Sequence, residues 1–172
     1  MDNQPHAWLR GPVDGVPREL QPVAHALIQT SEDAREFTDG FPDDLLWEPV
    51  AGLAPVGFHL KHIAGVIDRL TTTAEKGSTT DEQRAAARAE REPGPADATT
   101  ASLVQSVERT VEEAIDRLRR IDTGTLYEPR EVGRLKLPST VIGNLFHAAE
   151  HAQRHCGQLL VTSRVVRERA GR

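Results

Sequence analysis

The amino-acid sequence predicts an all-α protein, a four-helix bundle with a short extra helix between the second and third long helices. Apolar residues recur every three or four positions in four long segments, which is typical of helices that bury one face. No segment of useful length alternates apolar and polar residues as a strand would, and no repeat with a period of about 20–50 residues is visible. Four such helices with connections longer than hairpin turns favour a bundle.

The first long helix is predicted to start at Pro17 and to end near Gly40, since proline is favoured at the first helical position and glycine just past the last. Residues 1–16 carry several prolines and glycines and are predicted to form an extended lead-in. His25 lies on or beside the apolar face, and we interpret it as a buried or boundary histidine rather than a metal ligand. The apolar face itself consists of Leu20, Val23, Ala24, Leu27 and Ile28.

The second long helix is predicted to start at Pro55 and to break at Gly77. Residues 41–55 before it are rich in proline and form a loop, in which Trp47 is predicted to cover one end of the core. The side chains that the second helix directs inward are Leu60, Ile63, Ile67 and Leu70.

A short polar helix is predicted over residues 81–91. Thr80 and Gln83 match a capping box at its start. Because this segment has little apolar surface to bury, we expect it to be exposed or mobile, with its charges forming a solvated face.

The third long helix carries a continuous apolar stripe: Leu103, Val107, Val111, Ala114, Ile115, Leu118 and Ile121. Residues 122–137 form a loop, within which residues 125–127 and 132–137 are candidates for a small hairpin. Thr140 is then the predicted start of the fourth long helix, which ends near Arg167. The basic tail stabilises the negative end of that helix. We divide the chain into a lead-in (1–16), one domain (17–167) and a tail (168–172).

Composition excludes several classes of function. A length of 172 residues favours one domain with a full core. With a net charge of -5, no basic tract and 4% aromatics, neither a phosphate-backbone binder nor a base-stacking platform is expected. No apolar stretch is long enough to span a membrane, and the N-terminus does not resemble a signal peptide. One cysteine, Cys156, fits a reducing cytosol, so we expect a cytoplasmic protein.

Five of the seven histidines lie in two segments predicted to be helical. His59 and His62 belong to the second long helix, whereas His147, His151 and His155 recur every four residues in the fourth and so share one face. Two imidazoles on adjacent turns, joined by a third from another helix, would leave a coordination position of a metal open, which is typical of a reactive site. The alternative is a polar stripe without metal, with His59 and His147 as ordinary boundary residues.

Three motifs lie in or beside the two histidine-bearing segments. One is Glu150 followed by the run His-Ala-Gln-Arg-His-Cys-Gly-Gln at residues 151–158, and another is the run His-Leu-Lys-His-Ile-Ala-Gly at residues 59–65. The third is the segment 131–138, which leads into the fourth long helix. In this order, they resemble the last-helix signature, the second helix and the approach to the last helix of the DinB/YfiT-like superfamily. The likeness extends over about residues 16–165.

This resemblance implies a four-helix bundle with a three-histidine divalent metal site, usually assigned to zinc or nickel. Motif matching implies that His62, His151 and His155 are the ligands, with His147 beside the site or spare. Characterised relatives include thiol-dependent S-transferases and a maleylpyruvate isomerase that uses a low-molecular-weight thiol, and many members are homodimers.

Several neighbours of these histidines have two interpretations. Glu150 would either orient another histidine or form a surface ion pair. Gln158, one turn after His155, would either hold that ring by a hydrogen bond or make a polar contact across a helix interface. Cys156 is interpreted as a buried, inert thiol, and no residue of the chain is assigned a catalytic role.

The favoured function is transfer of a low-molecular-weight thiol to a small electrophile, because a divalent metal strongly lowers the pKa of a bound thiol. The same property would activate water, so a metal-dependent hydrolase is the first alternative. A non-catalytic, metal-dependent dimeric stress or sensor module is the second, and a closed site with His59 or His147 as fourth ligand would favour structural zinc. We expect a small-molecule substrate, and a homodimer formed through apolar residues left exposed along the first and third long helices.

Overall fold

The computed structural model describes residues 4–94, 98–133 and 135–171, which contain five α-helices and one two-stranded sheet. The helices are α1 (Gln21–Phe37), α2 (Val56–Lys76), α3 (Asp81–Arg88), α4 (Thr100–Arg120) and α5 (Val141–Arg169). The strands are β1 (Pro129–Val132) and β2 (Leu137–Thr140). The predicted all-α fold class is confirmed: α1, α2, α4 and α5 are the four long helices, and α3 is the short extra one.

The four long helices pack around one core. Helix α2 packs against α4 and α5, and α1 packs against the same two helices from the other side. Each helix contributes side chains with no exposed surface, among them Leu27, Ile63, Ile67, Leu118, Leu145 and Leu159. Burial of one such side chain stabilises the fold by about 1.5–3 kcal/mol. The apolar stripes of the sequence therefore meet in the centre of the bundle.

The described part of the lead-in, residues 4–16, is not simply extended, because it packs on α1. Residues 7–9 form a 3₁₀ turn in which Ala7 is buried. The backbone nitrogen of Ala7 donates to Gln29 Oε1 at 2.9 Å, and Arg10 pairs with Glu32 at 2.6 Å. These contacts hold residues 7–10 against α1 despite the prolines and glycines around them.

Helix α2 begins against Trp47 and ends at a glycine. Trp47 lies half-buried against the core, as predicted. A Cβ atom at Gly57 would lie 2.8 Å from the Trp47 ring, so the glycine allows this close packing. At the other end Gly77 has a φ of 80°, the left-handed cap that a residue without a side chain adopts readily.

Helix α3 forms where predicted, but the expectation that it is exposed or mobile is wrong for its C-terminal end. Both hydrogen bonds of the Thr80–Gln83 capping box are present. A 3₁₀ turn over residues 89–91 follows, and Glu90 within it is only 6% exposed. The sequence shows an acidic residue in a polar segment. Its burial becomes evident only once α2 supplies the partners for its charge.

The sheet is a hairpin shifted from the predicted position. Residues 123–125 form a 3₁₀ turn, and β1 pairs antiparallel with β2 so that Val132 lies opposite Leu137. The Thr140 side chain accepts a hydrogen bond from the Gly143 nitrogen at 3.0 Å and caps α5 as predicted. Helix α5 continues to Arg169, into the segment assigned to the tail. Within the described ranges, no helix combines the length and apolarity needed to cross a membrane.

Candidate metal centre

Helices α2 and α5 bring three histidines together. The ring nitrogens that could bind a metal in His62, His151 and His155 all lie within 4.8 Å of one another. The two histidines of α5 are one turn apart and face α2. Ala148 packs against Val66 and Leu70 of α2, and this small side chain allows the two helices to approach closely. The structure thus places the three ligands implied by the motifs at a single point.

The separation of these nitrogens suits a metal ion. His62 Nε2 lies 3.0 Å from His151 Nε2. Two imidazole nitrogens that bind one ion at about 2.0–2.1 Å are themselves about 3 Å apart. Imidazole is a ligand for zinc, copper, iron and nickel, so the chemistry of the donor set fits a divalent transition metal.

His62 is oriented by a buried carboxylate. Its Nδ1 lies 2.6 Å from Glu90 Oε2, while Glu90 Oε1 accepts a hydrogen bond from Arg69 at 2.5 Å. Burial raises the pKa of Glu90, but the hydrogen bonds from His62 and Arg69 outweigh burial and leave the pKa below its usual value. An ionised carboxylate can only accept, so the hydrogen of His62 lies on Nδ1 and the lone pair of Nε2 points to the site.

His155 is oriented by His59, which is 4% exposed. The two Nδ1 atoms are 3.0 Å apart. Burial and, next in size, the charge of His62 lower the pKa of His59 to about 4. Because His155 Nδ1 faces His59 Nδ1, His155 Nε2 is the nitrogen left to face a metal. His59 is therefore placed as a support of His155 and not as a fourth ligand.

A comparison with protein families identifies the superfamily of the chain. A model of the DinB superfamily matches residues 26–159, more than half of the chain, including all three convergent histidines. The chain belongs to the DinB superfamily. The resemblance carried by the sequence motifs is confirmed. A comparison with curated proteins finds no match.

The three ligand positions of this DinB-superfamily protein differ in their support. His62 and His155 each have a partner at Nδ1, whereas His151 Nδ1 is buried without a hydrogen-bond partner in the described part of the chain. The His151 ring is instead held by ring contacts, with centroids 5.1 Å from His147 and 4.8 Å from His155. Among the three candidate ligands, His151 is thus the one whose tautomer is not set by a hydrogen bond at Nδ1.

The electrostatics of the site favour neutral imidazoles. Burial lowers the pKa of His155 to about 3, and the neighbouring His62, His151 and His59 add to the shift. Burial and the nearby His62 likewise lower the pKa of His151. Neutral imidazole is the form that binds metals, so these two rings are ready to bind without losing a proton near pH 7.

An aromatic ring forms one wall of the site. Phe58 stacks on His62 with ring centroids 5.2 Å apart and an angle of 13° between the planes, and it meets His155 edge to face at 6.2 Å. The Arg91 guanidinium lies 5.1 Å from the centre of the Phe58 ring. The wall reduces solvent access to the histidines on this side and strengthens electrostatic interactions there.

His147 and Glu150 form an outer group. The side chain of His147 is 48% exposed, and its Nδ1 lies 3.2 Å from Glu150 Oε2. The other carboxylate oxygen of Glu150 pairs with Arg154. Both interpretations of Glu150 therefore hold, because it contacts another histidine and also takes part in a surface ion pair. Together with His151, this group also has ligand atoms within 4.8 Å of one another.

Two further residues lie away from the reacting centre. Gln158 is exposed, and in the described ranges no hydrogen bond joins it to His155, whose Nδ1 faces His59 instead. Cys156 is 1% exposed, its thiol donates to the Thr30 carbonyl at 3.7 Å, and burial raises its pKa to about 12. The predicted burial of Cys156 is confirmed. Of the two interpretations of Gln158, the hydrogen bond to His155 is not formed among the described residues.

Sequence reasoning missed Glu90 and Gly65. A Cβ atom at Gly65 would lie 2.2 Å from Glu90 Oε1, so the carboxylate reaches α2 only because residue 65 has no side chain. A glycine inside a helix costs about 1 kcal/mol relative to alanine. Its occurrence three residues after His62 was the one signal in the sequence that something packs against that face.

Proposed function

We propose that this protein binds a divalent transition metal, zinc or nickel, through His62, His151 and His155, and transfers a low-molecular-weight thiol to a small electrophile. The observation that carries the proposal is the convergence of three imidazoles from two helices, two of them with Nδ1 already engaged. Such preorganisation leaves the Nε2 atoms of those two rings available to one ion.

The set of donors supports a reactive site rather than a closed one. Among the described residues, the group around His62 has three members, with His59 turned to His155 and His147 turned to Glu150. Three protein ligands with a free position are typical of catalytic zinc. A divalent ion bound there supplies positive charge that lowers the pKa of a small thiol.

The nucleophile must come from outside the chain. Cys156 is buried and its pKa is raised to about 12, so it is protonated and out of reach. In the proposed reaction the sulfur of an added thiol forms a bond to the electrophilic carbon. The displaced group leaves with the bonding electrons, and the thiol proton passes to the buffer.

The test is a rate measurement with protein purified without an affinity tag. Metal-free and zinc- or nickel-loaded protein are each mixed with a thiol and a chloronitrobenzene, and release of chloride is followed. We expect faster transfer with the loaded protein, and the same rate in Cys156→Ala. If loaded protein binds no thiol at millimolar concentration but cleaves esters or amides, the hydrolase function replaces the transferase. If neither reaction is accelerated, a non-catalytic sensor or stress module remains.

A further inference from the structure

We infer that Glu90 is a positioning residue of the metal centre. The α3 segment, residues 81–91, then contributes to the centre by holding Glu90 against His62. Glu90 touches neither substrate nor metal and acts through His62. The inference rests on the proposed function, since it concerns the same three histidines. It adds a residue from a segment that composition alone marks as solvent-exposed.

The first support is the use of both carboxylate oxygens. Oε2 accepts from His62 Nδ1 at 2.6 Å and Oε1 accepts from Arg69 at 2.5 Å. With the Glu90 side chain 8% exposed and the Arg69 side chain 16% exposed, the two groups hold one another in place. The carboxylate therefore has one orientation, and it imposes that orientation on the imidazole.

The second support is the shape of α2 beneath the carboxylate. His62, Gly65 and Arg69 lie three and four residues apart and share a face of α2. A Cβ atom at Gly65 would come within 2.2 Å of Glu90 Oε1 and 2.6 Å of Arg69 Nη1. The gap left by the glycine is thus filled by the ion pair that orients His62.

The third support is that the α3 segment is anchored by contacts independent of Glu90. Lys61 Nζ donates to the carbonyls of Ala89 at 2.7 Å and Glu92 at 2.8 Å. At the other end, Gln83 Nε2 donates to Asp68 Oδ2 at 2.7 Å. These contacts dock the segment without burying a charge, so packing does not require the carboxylate at residue 90. Its placement against His62 fixes the hydrogen on Nδ1 and makes Nε2 the better ligand.

The inference is tested by competition titration of Zn²⁺ against a chromophoric chelator. We expect Glu90→Ala to weaken binding about 10- to 100-fold, the range typical of partners that orient a ligating histidine. Glu90→Gln is expected to lose less, because an amide oxygen still accepts from Nδ1. Glu92→Gln is the matched control, because Glu92 is exposed and contacts Lys61 only through its backbone oxygen. The Zn²⁺ affinity of this variant should equal that of the unchanged protein.

A second variant separates positioning from docking. Lys61→Ala removes two anchors of the α3 segment but leaves the Gln83–Asp68 hydrogen bond and the Glu90–Arg69 pair. We therefore expect it to speed amide hydrogen exchange over residues 81–91 and to weaken Zn²⁺ binding much less than Glu90→Ala does. The visible spectrum of the Co²⁺ form should change more in Glu90→Ala than in Lys61→Ala. Equal losses of affinity in the two variants, or no loss in Glu90→Ala, would overturn the inference while metal binding and thiol transfer by the unchanged protein stand. Absence of metal binding in the unchanged protein would overturn both proposals.

Discussion

At the scale of single residues, the histidine cluster concentrates neutral imidazoles in a small volume. His59 and His155 have pKa values lowered to about 4 and about 3 from an ordinary value of 6.5, chiefly by burial. Folding therefore keeps these two rings uncharged in mild acid, whereas the unfolded chain would protonate them. Because the folded and unfolded states then bind different numbers of protons, the free energy of unfolding depends on pH.

We expect the stability of the metal-free protein to fall as pH decreases from about 6.5 towards about 4. In this window the unfolded imidazoles bind protons that the folded His59 and His155 do not, so the unfolded state is favoured as pH falls. Thermal unfolding over this range measures the slope. The slope should be smaller in His155→Gln, because glutamine cannot titrate. Parallel curves for this variant and the unchanged protein would contradict this explanation.

Cys156 offers a second prediction at the same scale. Cys156→Ala removes a buried sulfur that contacts the Thr30 carbonyl, so a loss of about 1 kcal/mol in the free energy of unfolding is expected. Bound metal should be unaffected because the thiol lies outside the ligand group. Urea titration and metal analysis check the two parts, and a loss of metal would show that the thiol is a ligand.

At the scale of elements, α2 carries the feature that connects packing to the site. Gly65→Ala should destabilise the protein, because the new Cβ atom would meet Glu90 Oε1 at 2.2 Å, although alanine favours a helix by about 1 kcal/mol over glycine. Metal affinity should fall with it. Gly157→Ala on α5 is the control, since a Cβ atom there meets no atom within 4 Å and should stabilise the helix. Thermal unfolding of both variants and a titration with Zn²⁺ test these expectations. A Gly65→Ala protein that is more stable and keeps full metal affinity would show that Glu90 does not need the space left by the glycine.

The sequence predicts some of these elements well and others poorly, for physical reasons. Continuous apolar stripes such as Val107 to Leu118 make the long helices visible, because burial of one face repeats at the helical period. The spacing of His151 and His155 likewise marks a shared face. The partners of the candidate ligands are harder to predict, because Glu90 and His59 become neighbours of these histidines only through packing between helices. The burial of Glu90 and the register of the hairpin depend on such tertiary contacts, and local patterns do not report them.

At the scale of the whole molecule, apolar surface is distributed differently from the expectation. In the described part of the chain, the large exposed apolar side chains lie outside α1 and α4, and they are Trp8, Leu9, Leu53, Tyr127, Leu135, Leu137, Phe146 and Val161. Between α1 and α4 there is instead a groove of about 530 Å³, on the side of the bundle away from the histidines. Ion pairs such as Arg35–Glu108, at 2.6 Å, cross it and shield its apolar residues.

We propose that the protein forms a homodimer that covers part of this exposed apolar surface, with Phe146 on α5 as one buried residue. Sedimentation at micromolar concentration should then give a species of twice 18.9 kDa. Phe146→Ser should shift the equilibrium towards the monomer, while Gln158→Ser, an exposed polar position on the same helix, should not. A single 18.9 kDa species for the unchanged protein would reject the proposal.

The central claim is that three histidines from two helices hold one divalent ion. Its most direct measurement is metal content after equilibration with limiting Zn²⁺ and gel filtration. The unchanged protein and His25→Ala, whose ring lies 2.8 Å from the Gly11 carbonyl away from the site, should retain about one ion per chain. His62→Ala, His151→Ala and His155→Ala should each retain at least about tenfold less at the same free metal concentration. Full retention in His151→Ala would contradict the account.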